Sequence, residues 1–286
     1  MPDPLYNSSV QGHALVFDSG VGGLTVAREV RAMAPNVAID YAADTGFFPY
    51  GDKSDAELRA RLPLVAKALY EHVRPDVFVI ACNTASTLAL EEVRAALPCP
   101  VVGTVPAIKP GAEASQSGVI GLLATPGTIR RAYTDQLIAD FASDVQVIKH
   151  GSVALVKLAE AVAAGEFPDL EAFSEAQRAL FEAPGGDRMD TIVLACTHFP
   201  LVRDELIESA PREICYIDSG AAIARQTLRL LEAAGADEGA GDTLQDKAPQ
   251  RRGGRAFITD AIDHRQDMAA VFARFGFAPM ISLPLA

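Results

Sequence analysis

Two matching phrases hold the residues with the most chemical capacity: Val79-Ile80-Ala81-Cys82-Asn83-Thr84 and Val193-Leu194-Ala195-Cys196-Thr197-His198. Each is an apolar run, then Ala-Cys, then two small or polar hydrogen-bonding residues. Such a run reads as a buried strand that delivers its last residues to a sheet edge. In open α/β sheets, ligands bind beyond the carboxyl ends of the strands. The repeat therefore sets one thiol from each half of the chain where a ligand would lie between them. A thiolate and a thiol on opposite sides of one carbon can remove a proton from one face and deliver another to the other. They exchange roles when the direction reverses. A free thiol has a pKa of about 8.5, and a cationic neighbour or a helix N-terminus lowers it. His198 stands two residues past Cys196, placed to orient or protonate that thiol. Asp18 would serve the first thiol or bind a ligand ammonium. A single cysteine is commonly just a small buried apolar side chain, and that reading stands for Cys99 and Cys215, which lack the strand-end setting.

Further candidates surround the thiols. Asp18-Ser19-Gly20-Val21-Gly22-Gly23 lies between a strand and a helix, where glycines let backbone N–H groups point at a ligand. It is neither GxGxxG nor GxxxxGK[ST], so it carries no nucleotide signature; a tight βα turn also uses glycine. The acid at its start suits an ammonium group better than a phosphate. Asn83, Thr84 and Thr197 can donate to a carboxylate. Thr125 and Thr128 occupy the corresponding loop of the second half, where either is also a plausible helix cap. Tyr50 and Gly51 would add a wall with a hydroxyl and an open backbone amide.

The elements that position these residues follow from periodicity. Strands are expected at Ala14–Phe17, Val37–Tyr41, Asp76–Ala81 and Val101-Val102. Helices are expected from about Leu24 to Met33, after Ser54 or Asp55, and over Thr84–Ala96. The pattern then restarts with strands at Gly118–Leu123, Val145–Ile148 and Thr191–Ala195, and helices at Val153–Ala164 and Leu170–Glu182. Alternation of this kind predicts α/β architecture with mostly parallel sheets and helices on both faces. The expected fold is two similar doubly wound lobes with the active site in the cleft between them. Tyr216-Ile217-Asp218-Ser219-Gly220 echoes Phe17-Asp18-Ser19-Gly20. The expected division is 12–104 plus 216–286 for the first lobe and 105–215 for the second. Residues 235–254, rich in Gly, Asp, Gln and Arg, read as a mobile loop. Arg255–Thr259 reads as a strand and Asp263–Phe275 as an amphipathic helix.

Composition bounds the function. The 286 residues are 49% hydrophobic and 22% charged, ample for a packed core. A formal net charge of −12 argues against a nucleic-acid partner held through phosphates. The four cysteines have no CxxC or other zinc-ligand spacing and make no disulfide framework, so no metal site and a reducing cytoplasm are expected. Residues 1–12 lack the regions of a signal peptide, and no stretch is apolar over a membrane-spanning length; no membrane partner is expected.

Taken in order, the motifs resemble those of glutamate racemases, in the aspartate/glutamate racemase superfamily. The resemblance rests on Phe17-Asp18-Ser19-Gly20-Val21-Gly22-Gly23-Leu24, Asp44-Thr45 with Pro49-Tyr50-Gly51, Ala81-Cys82-Asn83-Thr84-Ala85-Ser86, Cys196-Thr197-His198 with Pro200-Leu201, and Ile217-Asp218-Ser219-Gly220. It covers nearly the whole chain. It implies cofactor-independent interconversion of L- and D-glutamate, the D-isomer feeding bacterial peptidoglycan, with a homodimeric assembly expected. It implies Cys82 and Cys196 as the acid/base pair, and Asp18, Ser19, Tyr50, Gly51, Asn83, Thr84, Thr197 and His198 as substrate contacts or catalytic helpers. The sequence departs from the family pattern at Gly46-Phe47, at Thr104–Pro110 and in the length of 235–254. The family's glutamate behind the second catalytic pair aligns with Lys157, and Glu160 follows one turn later. An aspartate racemase, another racemase of the superfamily or a non-catalytic amino-acid-binding protein are the competing readings. The retained thiols weigh against the last, because a binder needs hydrogen bonds but no thiolate.

Overall fold

The computed structural model describes residues 9–238, 254–261 and 266–285. The first half runs β1 (His13–Asp18), α1 (Leu24–Met33), β2 (Ala38–Ala43), α2 (Asp55–Val73), β3 (Val77–Ile80), α3 (Asn83–Ala96), β4 (Val101–Val102) and α4 (Ile108–Ala114). The second continues with β5 (Val119–Ala124), α5 (Pro126–Ile129), α6 (Ala132–Phe141), β6 (Gln146–Gly151), α7 (Val153–Ala164), α8 (Leu170–Glu182), β7 (Thr191–Ala195), α9 (Arg203–Ser209) and β8 (Cys215–Ile217). The chain then adds α10 (Gly220–Glu238), β9 (Gly254–Ile258), α11 (Gln266–Arg274) and β10 (Phe277–Ser282).

Two parallel sheets result, with strand orders β10-β9-β2-β1-β3-β4 and β6-β5-β7-β8. In the first, the order reverses beside β1, whose neighbours are β2 and β3. In the second it reverses beside β5, between β6 and β7. Strand ends on either side of such a reversal splay their following loops apart and leave a crevice. β1 ends on Asp18 and the turn after β3 carries Cys82; the loops after β5 and β7 carry Thr125 and Cys196. Chain topology thus sets both cysteines at crevices before any side chain is considered.

Alternation along the strands fills both faces of each sheet. Ala14, Val16, Val77 and Val79 enter one core, and Leu15, Phe17, Phe78 and Ile80 enter the other. The second sheet is likewise covered on both faces, by clusters around Leu123, Phe173 and Leu194 and around Ile120, Leu122 and Val193. Burial on both faces explains why these strands read as continuous apolar runs. Local signals fix helix starts. Ser54 and Glu57 form a reciprocal capping box at α2, and the Ser152 hydroxyl accepts from the Leu155 N–H at α7.

Three expectations are corrected. The phrase at Tyr216 forms β8, which pairs with β7, so the chain leaves the second sheet after Ile217 rather than at 216. Tyr216 packs in the second lobe, where its hydroxyl donates to Gln177 Oε1 at 2.6 Å. Strand β10 was not expected from sequence; it pairs in parallel with β9 at the sheet edge. Of the loop expected at 235–254, residues 235–238 continue α10 and Gly254 opens β9; the remainder lies outside the described residues. Residues 263–265 of the expected Asp263–Phe275 helix also lie outside them.

β9 is pinned in the sheet by one buried carboxylate. Asp40 on β2 accepts from the Arg255 backbone N–H at 2.6 Å and from Nη2 at 2.5 Å, and shares a 3.1 Å hydrogen bond with His13. Burial alone would raise the Asp40 pKa. The bonds from His13 and Arg255 reverse this and hold it below the ordinary 3.8. A depressed carboxylate stabilises the fold above its unfolded pKa and loses that contribution as pH falls through its folded value. Asp40→Asn is therefore expected to cost about 1–2 kcal/mol at pH 7, the partly exposed Arg255 limiting the effect. Denaturant melts should show the deficit shrinking at pH values below the ordinary carboxylate range. A deficit that stays constant with pH would show that the charge of Asp40 is not the cause.

Candidate active site

The cleft between the lobes has a volume of about 460 Å³, its open mouth included. Of the residues singled out from sequence, Ser19, Tyr50, Gly51, Cys82, Asn83, Thr84, Thr125, Cys196, Thr197 and His198 line it. Asp18 and Thr128 do not. Asp18 is fully buried behind Ser19, and Thr128 is fully buried with its hydroxyl 3.5 Å from that of Thr84. Phe48, Asp52, Val153 and Val156 also line the cleft and were not singled out from sequence.

On the first lobe, Asp18 organises the turn after β1. Its Oδ1 accepts from the Ser19 N–H at 2.7 Å, and its Oδ2 accepts from the Gly23 N–H at 2.6 Å. From the second lobe, the Thr197 hydroxyl donates to the same Oδ2 at 3.0 Å. The Val21 N–H donates to Glu160 at 3.2 Å. These turn amides are thus spent on the protein's own carboxylates instead of facing the cleft. The glycines serve close approach. A Cβ on Gly20 would sit 2.5 Å from Glu160 Oε1, and one on Gly22 would sit 2.5 Å from His198 Nδ1. Any larger residue there would push the lobes apart.

Cys82 stands at the N-cap of α3, with its Sγ 4.0 Å from the Ser19 hydroxyl. A helix N-terminus favours a thiolate, yet burial pushes the Cys82 pKa well up. The neighbouring Asp18 charge and the ionised form of Cys196 add to the rise. Both thiols line the same cleft.

Cys196 has different company. Its Sγ lies 3.9 Å from His198 Nδ1, and His198 Nε2 lies 2.7 Å from Glu160 Oε1. Burial alone would lower the His198 pKa; the hydrogen bonds to Cys196 and Glu160 overcome it and raise the imidazole well above 6.5. Glu160 therefore fills the place for which Lys157 had been aligned. Val153, Val156 and Glu160 share the face of α7 that meets the cleft, whereas Lys157 is exposed. The 3.6-residue period carried this signal.

The Tyr50 hydroxyl is not free for a ligand. It donates to Asp44 Oδ2 at 2.6 Å. Asp44 also accepts from Arg61 Nε at 2.7 Å and Nη2 at 2.8 Å, and from the Thr259 hydroxyl at 2.5 Å. The Tyr50 pKa is driven well up by burial and then by the Asp44 charge, so the hydroxyl stays a donor. Opposite, the hydroxyls of Thr84, Thr125 and Thr128 form a cluster across the lobes, at 3.1–3.5 Å. Asn83 Oδ1 is buried with no hydrogen-bond partner among the described residues. Among the described residues lining the cleft there is no Lys or Arg, so an anionic ligand would meet neutral donors and the His198 imidazole. No group of His, Cys, Asp and Glu suited to a metal occurs among the described residues.

Two parallel α/β lobes, each presenting a thiol at its switch point to one shared cleft, define a class of protein able to offer acid/base groups to both faces of a small molecule. Comparison places the chain within that class. Residues 24–227 match the model of the Asp/Glu/hydantoin racemase family. A glutamate racemase from Sphingopyxis alaskensis is 51% identical over 76% of this chain and 81% of its own length. One from Salmonella gallinarum is 42% identical over 95% and 92%. The crystal structure of Escherichia coli glutamate racemase, in complex with L-glutamate and the activator UDP-MurNAc-Ala, superposes with a TM-score of 0.85 at 40% identity, covering 96% of this chain and 99% of that one. The chain belongs to the Asp/Glu/hydantoin racemase family.

The Glu160–His198 contact generates a direct test. In Glu160→Gln the carboxylate that favours imidazolium is gone, and the His198 pKa is expected to fall towards the ordinary range. NMR titration of the imidazole in wild type should show it still protonated at neutral pH, with the midpoint clearly lower in the variant. An unchanged midpoint would remove Glu160 as the cause.

Proposed function

We propose that this protein interconverts L- and D-glutamate by two-thiol proton transfer at the α-carbon, without a cofactor. The observation that carries the reading is the pairing of Cys82 and Cys196 across one cleft, in a chain 42% identical to a glutamate racemase over 95% of its length. One cysteine, as thiolate, removes the α-proton, and the other, as thiol, protonates the opposite face; the reverse reaction exchanges these roles. The electron pair left on the α-carbon is delocalised into the adjacent carboxylate.

The surroundings divide the work. Asp18, buried behind Ser19, sets a negative charge near Cys82 that favours a cationic group on the substrate, while its own oxygens stay bonded to the Ser19 and Gly23 N–H groups and the Thr197 hydroxyl. Ser19, Asn83, Thr84 and Thr197, with the Gly51 backbone, supply neutral donors for the carboxylates. Tyr50 holds the Gly51 wall through Asp44, and Thr128 supports Thr84 and Thr125. His198, oriented by Glu160, poises Cys196. D-glutamate made this way would feed peptidoglycan synthesis, and we place the activity in the cytoplasm as a homodimer. The cytoplasmic placement rests on cysteine usage; among the described residues no helix is long and apolar enough to cross a membrane. The homodimer rests on the family resemblance, and sedimentation would test it.

Incubation with either glutamate enantiomer in D₂O, with no added cofactor, is expected to label the α-carbon and yield the other enantiomer. Exchange with aspartate but not glutamate would overturn the substrate. Binding without exchange would overturn the enzyme. Cys82→Ser and Cys196→Ser should each lower steady-state racemisation by more than about 10²-fold, as expected for loss of a positioned acid/base group. Near-normal turnover in either variant would defeat the two-base mechanism.

A further inference from the structure

The cleft is bordered by contacts of two kinds. On one side, Asp18 with Thr197, and Glu160 with Val21, join the lobes at the thiols. On the other, away from the thiols, the lobes meet through the threonine hydroxyl cluster and one charged side chain, Arg131. Arg131 is the N-cap residue of α6 in the second lobe, and its side chain is only 10% exposed. Its Nη1 donates to the Thr84 carbonyl at 2.8 Å and to the Thr87 hydroxyl at 3.0 Å, both on α3. Its Nη2 donates to Asp55 Oδ1 at 3.1 Å, at the start of α2.

A guanidinium at the N-terminal ends of two helices opposes their dipoles. The site is therefore a poor choice for stability alone, and Asp55 offsets the repulsion. The placement makes sense as a tie. The residues it holds lie directly beside cleft-lining positions: Thr84 itself, and Asp52 just before α2. Three residues before Arg131, Thr128 completes the hydroxyl cluster with Thr84 and Thr125. A hydrogen bond to a charged group is stronger than one between neutral groups. Arg131 therefore dominates this border, while the threonines set its register. Its Nε, buried with no hydrogen-bond partner among the described residues, leaves the tie short of full satisfaction.

We propose that Arg131 is an interlobe clasp and a positioning residue: it holds the Thr84 and Thr125 walls together over the bound substrate without touching the reacting atoms. This rests on the racemase reading above.

Steady-state kinetics of wild type, Arg131→Met, Arg131→Lys, Asp55→Asn and the Arg131→Met/Asp55→Asn double variant test it, with circular dichroism to establish folding. Arg131→Met is expected to raise KM for both enantiomers about tenfold while kcat stays within about twofold, since a tie that acts on closure changes binding and not the chemical step. Arg131→Lys should fall between the two, because a lysine keeps the charge but not the fork. Asp55→Asn should raise KM about threefold in the wild-type background and add nothing in Arg131→Met, since both act through one contact. A fall in kcat at unchanged KM, or unchanged kinetics in folded Arg131→Met, would overturn the clasp. If Arg131→Met does not fold, the Asp55→Asn and Arg131→Lys shifts decide, and their absence overturns it equally. Lack of glutamate racemisation by wild type would instead overturn the activity, so the two failures are distinct.

Discussion

The arrangement depends on the carboxylate of Asp18. It is fully buried, and a buried carboxylate must be hydrogen-bonded or it will not remain charged. The Ser19 and Gly23 N–H groups meet that need from its own turn, and the Thr197 hydroxyl meets it from the other lobe. Each such bond to a charged group contributes about 1.5–3 kcal/mol. Their geometry fixes the tight glycine turn after β1, sets Ser19 beside Cys82, and brings the loop after β7 close. Gly22 then has to be glycine, because His198 occupies the space a side chain would need. Turn, cleft and lobe contact all follow from satisfying one charge.

The two thiols come from similar strand ends yet have unlike surroundings. Cys82 has a carboxylate for a neighbour, and burial together with that charge favours its protonated form. Cys196 has an imidazole that a second carboxylate, Glu160, keeps basic. The repeat is structural and the tuning is not. Each sheet supplies one cysteine by the same topological rule, and different residues then set how readily each yields a proton. Two lobes descending on one chiral centre need no identical chemistry, only opposite approach.

Much of this was legible in the sequence, and the rest was hidden for physical reasons. Strands buried on both faces announce themselves as apolar runs, so β1, β3, β5 and β7 and the residues at their ends could be read directly. The sheet to which β8 belongs could not. A three-residue strand says nothing about its neighbour, and its echo of Phe17-Asp18-Ser19-Gly20 pointed to the wrong lobe. β10 was missed because Phe277–Ser282 contains Pro279 and sits at the sheet edge, where alternation is weak. Tyr50 was identified as cleft wall, but its hydroxyl belongs to Asp44, a partner visible only once Arg61 and Thr259 are seen to converge on that carboxylate. Glu160 was separable from Lys157 by helical phase, which alignment by residue type alone passes over. Arg131 had no sequence signal, since its partners are a main-chain carbonyl, a hydroxyl and an aspartate on two other helices.

The buried acids around the cleft also differ in what balances them. Asp44 has the guanidinium of Arg61, and Glu160 has the imidazole of His198. The partners of Asp18 are neutral: two backbone N–H groups, the hydroxyls of Ser19 and Thr197, and the Cys82 thiol. On the proposed reading, an amino acid brings the missing cation. Burial is the first cause that holds the Cys82 proton in place and the Asp18 charge the second, and an ammonium group bound in the cleft near Cys82 would offset part of the second. The substrate's own charge thus favours ionisation of Cys82, while the burial imposed by the fold continues to oppose it.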